Sequence, residues 1–512
     1  ATVFFFARLW RRSGVLTDLE FYELRYSGKA ASAVRGFRAV YLGLLFNCMI
    51  MATVNLAACK IAAILFGLER WQTLLAVGLL NVVFAAHSGL WGVLVIDMIQ
   101  FFIKMSAVIA AAYFAVMLPQ VGGLSGLVDK LSHVRGPGGV NYLNMMPDFT
   151  SNWELAVAIF IMPIAIQWWA VWYPGAEPGG GSYIAQRMLA SKSEKDAVGA
   201  TLFFNIAHYV LRPWPWILTG LASIIVYPQL SDIQKAFPNL DPTLIGHDIA
   251  FPAMLRFMPI GWMGLMLGGL IAANSSTILT HLNWGASYLV HDFYRRFFKP
   301  GASEKHYVMA GRFATLLLFL SSSALVFVME TAQDSFNLIL QVGAGTGLLY
   351  LVRWFWWRVN AWSEVVAMIS SFAISVFFVV LGRTGIKFGT HKQLFMTVAF
   401  TTVCWVATAF LGPETDHAKL IDFYKKVRPF GPGWRKIRIA AGVSDAEAAE
   451  YAKHENIPLS LLGWTTGSVA IWSSLFTVGN FLYGRTGTAL ILLGVFVVSG
   501  AVLVRVINRL WK

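Results

Sequence analysis

The chain has 512 residues, 57% of them hydrophobic and only 13% charged, with a mean hydropathy of +0.62. Soluble domains carry about 25% charged residues, so this composition excludes a water-soluble globular protein and points to lipid as the solvent. The net charge of +14 sits in short loops between apolar runs, the pattern that orients membrane proteins; no basic face interleaved with aromatics marks a nucleic-acid interface.

Taken in order, the chain opens on Ala1-Thr-Val-Phe-Phe-Phe-Ala7, which reads as the end of a membrane helix and is followed at once by Arg8, Arg11 and Arg12. A signal peptide has the opposite order, charge before apolar stretch. Spanning the hydrocarbon takes about 20 apolar residues. That rule predicts an all-α polytopic protein with twelve spans, near 36–66, 71–90, 91–118, 154–175, 196–227, 260–290, 307–330, 335–357, 362–382, 394–411, 461–482 and 486–507. Alternate loops are richer in Lys and Arg by roughly three to one, which places the loop from Arg8 to Arg38 and the C-terminus in the cytoplasm. Residues 119–153 and 228–258 are predicted external segments. Residues 412–460 form a basic, partly helical cytoplasmic segment with a short helix at Asp445-Ala-Glu-Ala-Ala-Glu450.

Three stretches put polar or helix-breaking residues inside the spans. In Trp168-Trp-Ala-Val-Trp-Tyr-Pro-Gly-Ala-Glu-Pro-Gly-Gly-Gly-Ser-Tyr183 an apolar helix runs into two prolines and four glycines, then resumes. Proline removes a helical hydrogen bond, and unwound backbone is tolerated at membrane depth only where it lines protein or a cavity. Discontinuous helices of this kind form transporter binding sites; a plain loop at the membrane edge is the alternative. Asp97 lies in a second span, with Lys104 seven residues on, along the same helical face. An intramembrane carboxylate marks an ion pathway or a buried pair with Lys104. In Ala272-Ala-Asn-Ser-Ser-Thr-Ile-Leu-Thr-His-Leu-Asn283, hydroxyls and amides crowd one span. Such oxygens suit sodium without burying a full charge and equally suit helix packing. His208 and Arg212, beside Pro213 and Pro215, read as structural or interfacial.

Cys48, Cys59 and Cys404 fall in apolar runs with no metal or redox spacing. No GxxxxGK[ST], HExxH or paired CxxC is present, so no enzyme signature competes with transport.

Five segments in order resemble the sodium/solute symporter family, which includes carriers of sugars, proline, iodide, vitamins and sialic acid. Ser13-Gly-Val-Leu-Thr17 through Glu20 and Arg25 resembles GxxTxxEFLxxRF. Gly89 to Gln100 resembles GGLxAVxxTDxxQ. Tyr183-Ile-Ala-Gln-Arg-Met-Leu-Ala-Ser-Lys192 resembles QYxxQRxLAAKS. Ala272 to Arg296 resembles MSSxxSxLNSxSTxxxxDxYxR, and Phe355-Trp-Trp-Arg-Val-Asn360 resembles FWKRxN. The resemblance implies a leucine-transporter-like fold of two inverted five-helix repeats and alternating access driven by Na+. It implies a symporter core over 1–360, two extra spans over 361–411, the cytoplasmic segment 412–460 and two C-terminal spans over 461–512. Core helices one and two of the family precede Ala1 or barely overlap it, which implies a longer gene product.

Carried over residue by residue, the family's second sodium site falls on the Ala273 carbonyl and the Ser276 and Thr277 hydroxyls, and the acid of its inner ion route on Asp97. The family's sugar contacts do not carry over, because Pro174, Glu177 and Pro178 stand in their place. Candidate solute contacts are instead Glu177, Trp168, Trp169, Trp172 and Gln341; stacked indoles suit sugar rings. The expected function is sodium-coupled symport of a small polar solute across a bacterial cytoplasmic (inner) membrane, by a protein that is not an enzyme and that is able to join an oligomer or complex. A non-transporting subunit or sensor on the same fold is the alternative.

Overall fold

The computed structural model describes the chain except residues 137–138, 170–178, 241, 330–344, 387, 445, 449, 451–455 and 511–512; the side chains of residues 80, 82–91, 93, 96, 167, 182–183, 243, 379, 383 and 390 also lie outside the description. Among the described residues the chain is all-helical, with no strand and one isolated bridge between Arg135 and Asn141. Among the described residues nine helices are long and apolar enough to cross a bilayer, and they match nine of the twelve expected spans. The chain is thus an integral, multi-pass membrane protein.

The short helices α1 (Ala7–Ser13) and α2 (Glu20–Arg25) precede the first long helix, α3 (Gly28–Phe66). Helix α4 (Arg70–Val116) starts with a capping box, in which the Glu69 and Gln72 side chains each accept from the other's backbone N–H, satisfying two donors that a helix start leaves free. The two expected spans 71–90 and 91–118 fall within this single helical run. A straight helix would put Asn81 and Asp97 about 24 Å apart. Yet Asn81 Nδ2 is 3.2 Å from Asn274 Oδ1 and Asp97 Oδ1 is 2.5 Å from Ser276 Oγ, and Asn274 and Ser276 are near neighbours on one helix. The run is therefore bent between them, with Asn81 and Asp97 both reaching the same stretch of α8.

The expected span 154–175 is represented by the shorter helix α5 (Trp153–Ile166) and resumes as α6 (Ser182–Leu189). Gly179 and Gly180 lie at φ +83° and +92°, where only glycine is unstrained, and Gly181 is extended. A break in the helix is thus present on its described side; residues 170–178, including Trp172 and Glu177, lie outside the described residues, as does Gln341. The remaining long helices are α7 (Glu194–Val226), α8 (Ile260–Phe298), α9 (Glu304–Val326), the short α10 (Gly347–Phe355), α11 (Ala361–Gly382) and α12 (His391–Leu411). The shorter helices α13 (His417–Val427) and α14 (Arg435–Ala440) follow, then α15 (Ile457–Leu482) and α16 (Thr486–Leu510).

Helix α8 carries the polar stretch. It crosses α3 closely at Gly285 and Gly43: a Cβ on Gly285 would sit 2.7 Å from the Gly43 carbonyl and 2.2 Å from Asn47 Nδ2. Small residues let membrane helices approach this way. Asn47 uses the closeness to donate to the His281 carbonyl at 2.8 Å. One helical layer higher, Asn81 donates to Asn274 and Asn274 to Asn55, at 3.2 and 3.3 Å. This amide chain pins α3, α4 and α8 together and fixes the height of the residues between.

The segment 412–460 is not a detached domain. Phe423, Val427, Trp434 and Ile437 are buried with Trp10, Phe21 and Trp354 in one apolar cluster. Cys48 and Cys59 are buried and Cys404 is half-buried, all unbridged. Around the short helix expected at 445–450, Ser444 and Glu447 form reciprocal caps at 2.9 and 3.2 Å.

Candidate ion and solute site

Ala273, Ser276 and Thr277 share one partly exposed face of α8, while Asn274, Ser275, Ile278 and Leu279 are buried behind them. Thr277 donates to the Ala273 carbonyl at 3.1 Å, an ordinary one-turn bond that leaves the oxygens' remaining lone pairs on the open face. Ser276 Oγ donates to Asp97 Oδ1. The three residues expected to hold sodium and the acid expected on the ion route, far apart in sequence, are therefore side by side. All the donor atoms are oxygen, which fits a hard cation, and Asp97 supplies the negative charge that neutral hydroxyls lack.

The ion-pair partner of Asp97 is Arg187, while Lys104 interacts with it only at longer range. Asp97 Oδ2 faces Arg187 Nη2 at 3.8 Å, and Lys104 instead lies with its backbone against Gly269 of α8. Arg187 comes from α6 and also donates to Thr280 Oγ1 at 3.2 Å, while its neighbour Gln186 reaches Asn283 Oδ1 at 3.4 Å. The segment after the break thus docks on the hydroxyl-bearing face of α8. The sequence displayed Arg187 within a motif but gave it no role, because nothing along the chain reveals a partner on another helix.

The break itself is held by α1 and the residues before it. Trp10 Nε1 donates to the Gly179 carbonyl at 2.9 Å, and a Cβ on Gly180 would come within 2.5 Å of Met188 Cε. The candidate solute rings are placed elsewhere. Trp168, 44% exposed, packs on Trp464 of α15 with ring centroids 4.9 Å apart. Trp169 donates to Ala165 and packs against Leu394 and Val398 of α12. Among the described residues neither indole touches the Ser276 face. His208 and Arg212 pair with one another at 3.3 Å beside Pro213, as a structural role predicts.

With this geometry established, comparisons with known proteins decide the class. The sequence profile of the Sodium:solute symporter family matches residues 1–371. The chain belongs to that family. A sodium/glucose cotransporter of Vibrio parahaemolyticus is 24% identical over 427 residues, 80% of this chain and 75% of that protein. Sodium/glucose cotransporter 1 of Oryctolagus cuniculus is 24% identical over 429 residues, 78% of this chain but 62% of that one. The high-affinity proline transporter of Bacillus subtilis is 30% identical over 198 residues, covering 37% of this chain and 38% of that protein. Among solved structures, a Na+-coupled sialic acid symporter in a substrate-bound outward-open state matches with a TM-score of 0.59 at 18% identity over 81% of each chain. That likeness establishes the symporter fold. Sodium is the coupling ion of the family, and the oxygen-lined face of α8 beside Asp97 is chemically suited to it.

Proposed function

We propose that this chain couples the movement of a small polar organic solute to sodium by alternating access, and that it does so in a bacterial cytoplasmic membrane. One observation carries the reading: Ser276 and Asp97, on two different helices, meet at 2.5 Å beside the Thr277 hydroxyl and the Ala273 carbonyl. On this reading Ala273, Ser276 and Thr277 ligate the transported sodium, whose remaining ligands come from outside this donor set. Asp97 draws the ion along its route by charge, and the break between α5 and α6 admits the solute. Glu177 takes hydroxyls or an amine of the solute, with Trp168, Trp169, Trp172 and Gln341 as the further candidate contacts. The protein makes and breaks no covalent bond.

The test is uptake in proteoliposomes against a panel of radiolabelled solutes, with and without a sodium gradient. Sodium-dependent uptake of at least one solute is expected. Ser276→Ala with Thr277→Ala is expected to raise the sodium concentration for half-maximal uptake by about tenfold, the loss of roughly 1.4 kcal/mol of ion binding. Unchanged sodium dependence in that variant removes the ion site from α8. Glu177→Gln is expected to lower uptake or shift solute preference, and identical kinetics exclude its contact with the solute.

A further inference from the structure

Arg212 is the only Asp, Glu, Lys or Arg between Asp196 and Asp232, and it stands near the middle of the 33-residue spanning helix α7. Along the axis it is about 24 Å from Asp196 and about 21 Å from Val226, too deep for its side chain to snorkel to the headgroups. It lies outside the five segments that carry the family resemblance. A guanidinium at such depth is expensive unless something compensates it. Among the described residues no carboxylate stands within ion-pair distance of it; its polar partner is His208, whose Nε2 is 3.3 Å from Nη2. Arginine only donates, so Nε2 accepts and the imidazole is neutral. The bond orients the guanidinium and leaves its charge in place.

Trp214, two residues on and so on the far side of the helix, is buried and donates to the Leu475 carbonyl of α15 at 2.8 Å. That contact turns Arg212 away from α15. Phe204, His208, Arg212 and Trp216 follow at four-residue intervals and share one face; Phe204 and Trp216 are 47% and 39% exposed, and Arg212 is exposed too. His208 stacks on Phe204 with centroids 5.3 Å apart, which steadies the ring that aims the guanidinium. The backbone is interrupted at the same level. Residues Ala207–Leu211 form a π-helical turn, a form frequent at functional sites. Pro213 and Pro215 lack an N–H, so two carbonyls of the preceding turn lose their usual donors. Transporters bind their solutes near this depth, where helices are interrupted.

We propose that the solute carries a carboxylate and that Arg212 binds it, aimed by His208. This rests on the symport reading and deepens it by naming the class of solute. The guanidinium is a planar fork matched to a carboxylate, and one carboxylate cancels the one positive charge of Arg212. A phosphate ester brings about −1.5 to −2 and would leave an excess. The freed carbonyls accept from hydroxyl or ammonium groups of the same molecule. The loaded site is then nearly neutral and the empty one is charged, so the solute removes an electrostatic cost when it binds.

The experiment uses the purified full chain and matched solutes: glucuronate with glucose, lactate with propane-1,2-diol, and proline with its amide. Thermal unfolding in detergent reads binding, and radiolabelled uptake in proteoliposomes reads transport. At least one carboxylate is expected to raise the unfolding temperature and to enter with sodium, its matched relative acting at least about tenfold more weakly. Arg212→Gln is expected to raise the concentration for half-maximal stabilisation and uptake of that carboxylate at least about tenfold. Arg212→Lys, which keeps the charge without the fork, should raise it by less. The proposal is overturned if none of the three carboxylates stabilises the wild type or enters, or if a folded Arg212→Gln chain binds with unchanged affinity. It is equally overturned if uptake of a neutral solute is lost in Arg212→Gln and recovered on adding Glu177→Gln, which would mean that the two residues neutralise one another. Discrimination within the matched pairs by the wild type decides the matter even where Arg212→Gln does not fold. Arg212-dependent binding of a carboxylate without sodium-dependent uptake of any solute upholds the site and refutes the symport reading instead.

Discussion

Arg35 grips Asp292 from a neighbouring helix: Nε and Nη2 lie 2.8 and 2.7 Å from the same carboxylate oxygen, Oδ1, and Asp292 is completely buried. Arg35 belongs to α3 and Asp292 to the far end of α8, about 24 Å beyond Ser276 along the helix. The helix that carries the ion face is thus anchored by its own extension. Thr17 adds a hydrogen bond to Asp292 at 2.9 Å, whereas Oδ2 of Asp292 has no partner among the described residues. The two halves of the pair are unequal. Arg35 also holds Glu23 at 2.6 Å and Glu20 at 3.5 Å, so it stays compensated when Asp292 is neutralised. Beyond Arg35, Asp292 has nearby the ring of His291, which is cationic only when protonated. Arg35→Met should therefore cost about 3–5 kcal/mol, as expected for a buried charge left alone, and Asp292→Asn about 1–3 kcal/mol. Thermal unfolding of the detergent-solubilised protein checks the order; equal losses would contradict it.

The same network predicts an acid limit to stability. Burial works against ionisation of Glu23, but hydrogen bonds from Ser32, Arg296 and Arg35 outweigh it and hold the carboxyl down from its ordinary 4.5 to about 2. Glu20 is likewise partly buried, and is lowered on balance by His291, the Leu16 N–H and Arg35. A carboxyl depressed in the folded state contributes its full stabilisation above its unfolded value, and loses it as the pH falls toward the folded value. The unfolding temperature should accordingly be level from about pH 8 to about pH 5 with respect to these groups, then fall as the pH drops below 4.5 toward 2. Glu23→Gln should flatten that fall. A variant with the wild-type acid slope would show that Glu23 does not titrate with folding.

The glycine break makes a prediction that does not involve charge. Gly180 has φ +92°, and a Cβ there would lie 2.5 Å from Met188 Cε and 3.2 Å from Trp10 Nε1. The Met188 end is flexible and can yield; the backbone angle cannot, and a non-glycine residue held there costs about 1–3 kcal/mol. Gly180→Ala should lower the unfolding temperature and slow uptake together, because α6 carries Arg187. Gly220→Ala, at a site where a Cβ meets nothing within 4 Å, serves as the control and should be near neutral.

What the sequence disclosed follows from what is local. The long apolar runs were readable because twenty residues of one character leave few alternatives, and nine of them stand as long helices. The hydroxyl cluster on α8 was readable because its members are within two turns. The Asp97–Arg187 contact joins α4 to α6 and was not readable, so Lys104, close in sequence, looked like the natural partner. The Trp168 and Trp169 rings show the limit differently: a run of indoles announces a contact surface without saying which helix it faces, and the neighbours are α15 and α12. The packing of 412–460 was hidden by its basic surface, since the inward residues Phe423, Val427, Trp434 and Ile437 are scattered among Lys and Arg.

That inward set yields the last prediction. Trp434 is 1% exposed, donates to the Trp354 carbonyl at 2.8 Å and stacks on Phe423 with centroids 5.4 Å apart. Both aromatic rings also cover Arg25, whose guanidinium lies 4.7 Å from the Trp434 ring and donates to the carbonyls of Arg353, Trp356, Trp357 and Val359. The segment 412–460 therefore caps an arginine whose other bonds tie α2 to the end of α10. Trp434→Ala removes a large buried ring, a hydrogen bond and one face of that arginine at once, a loss of about 3–5 kcal/mol. Because the ring belongs to the segment and not to a span, the loss should fall on the segment's attachment. Trypsin cleavage within 417–440 should accelerate at least tenfold while the spans remain helical by circular dichroism. Phe423→Leu, which keeps most of the buried volume, should be cleaved at an intermediate rate; a cleavage rate in Trp434→Ala equal to that of the wild type would mean the segment is held by something other than this aromatic cap.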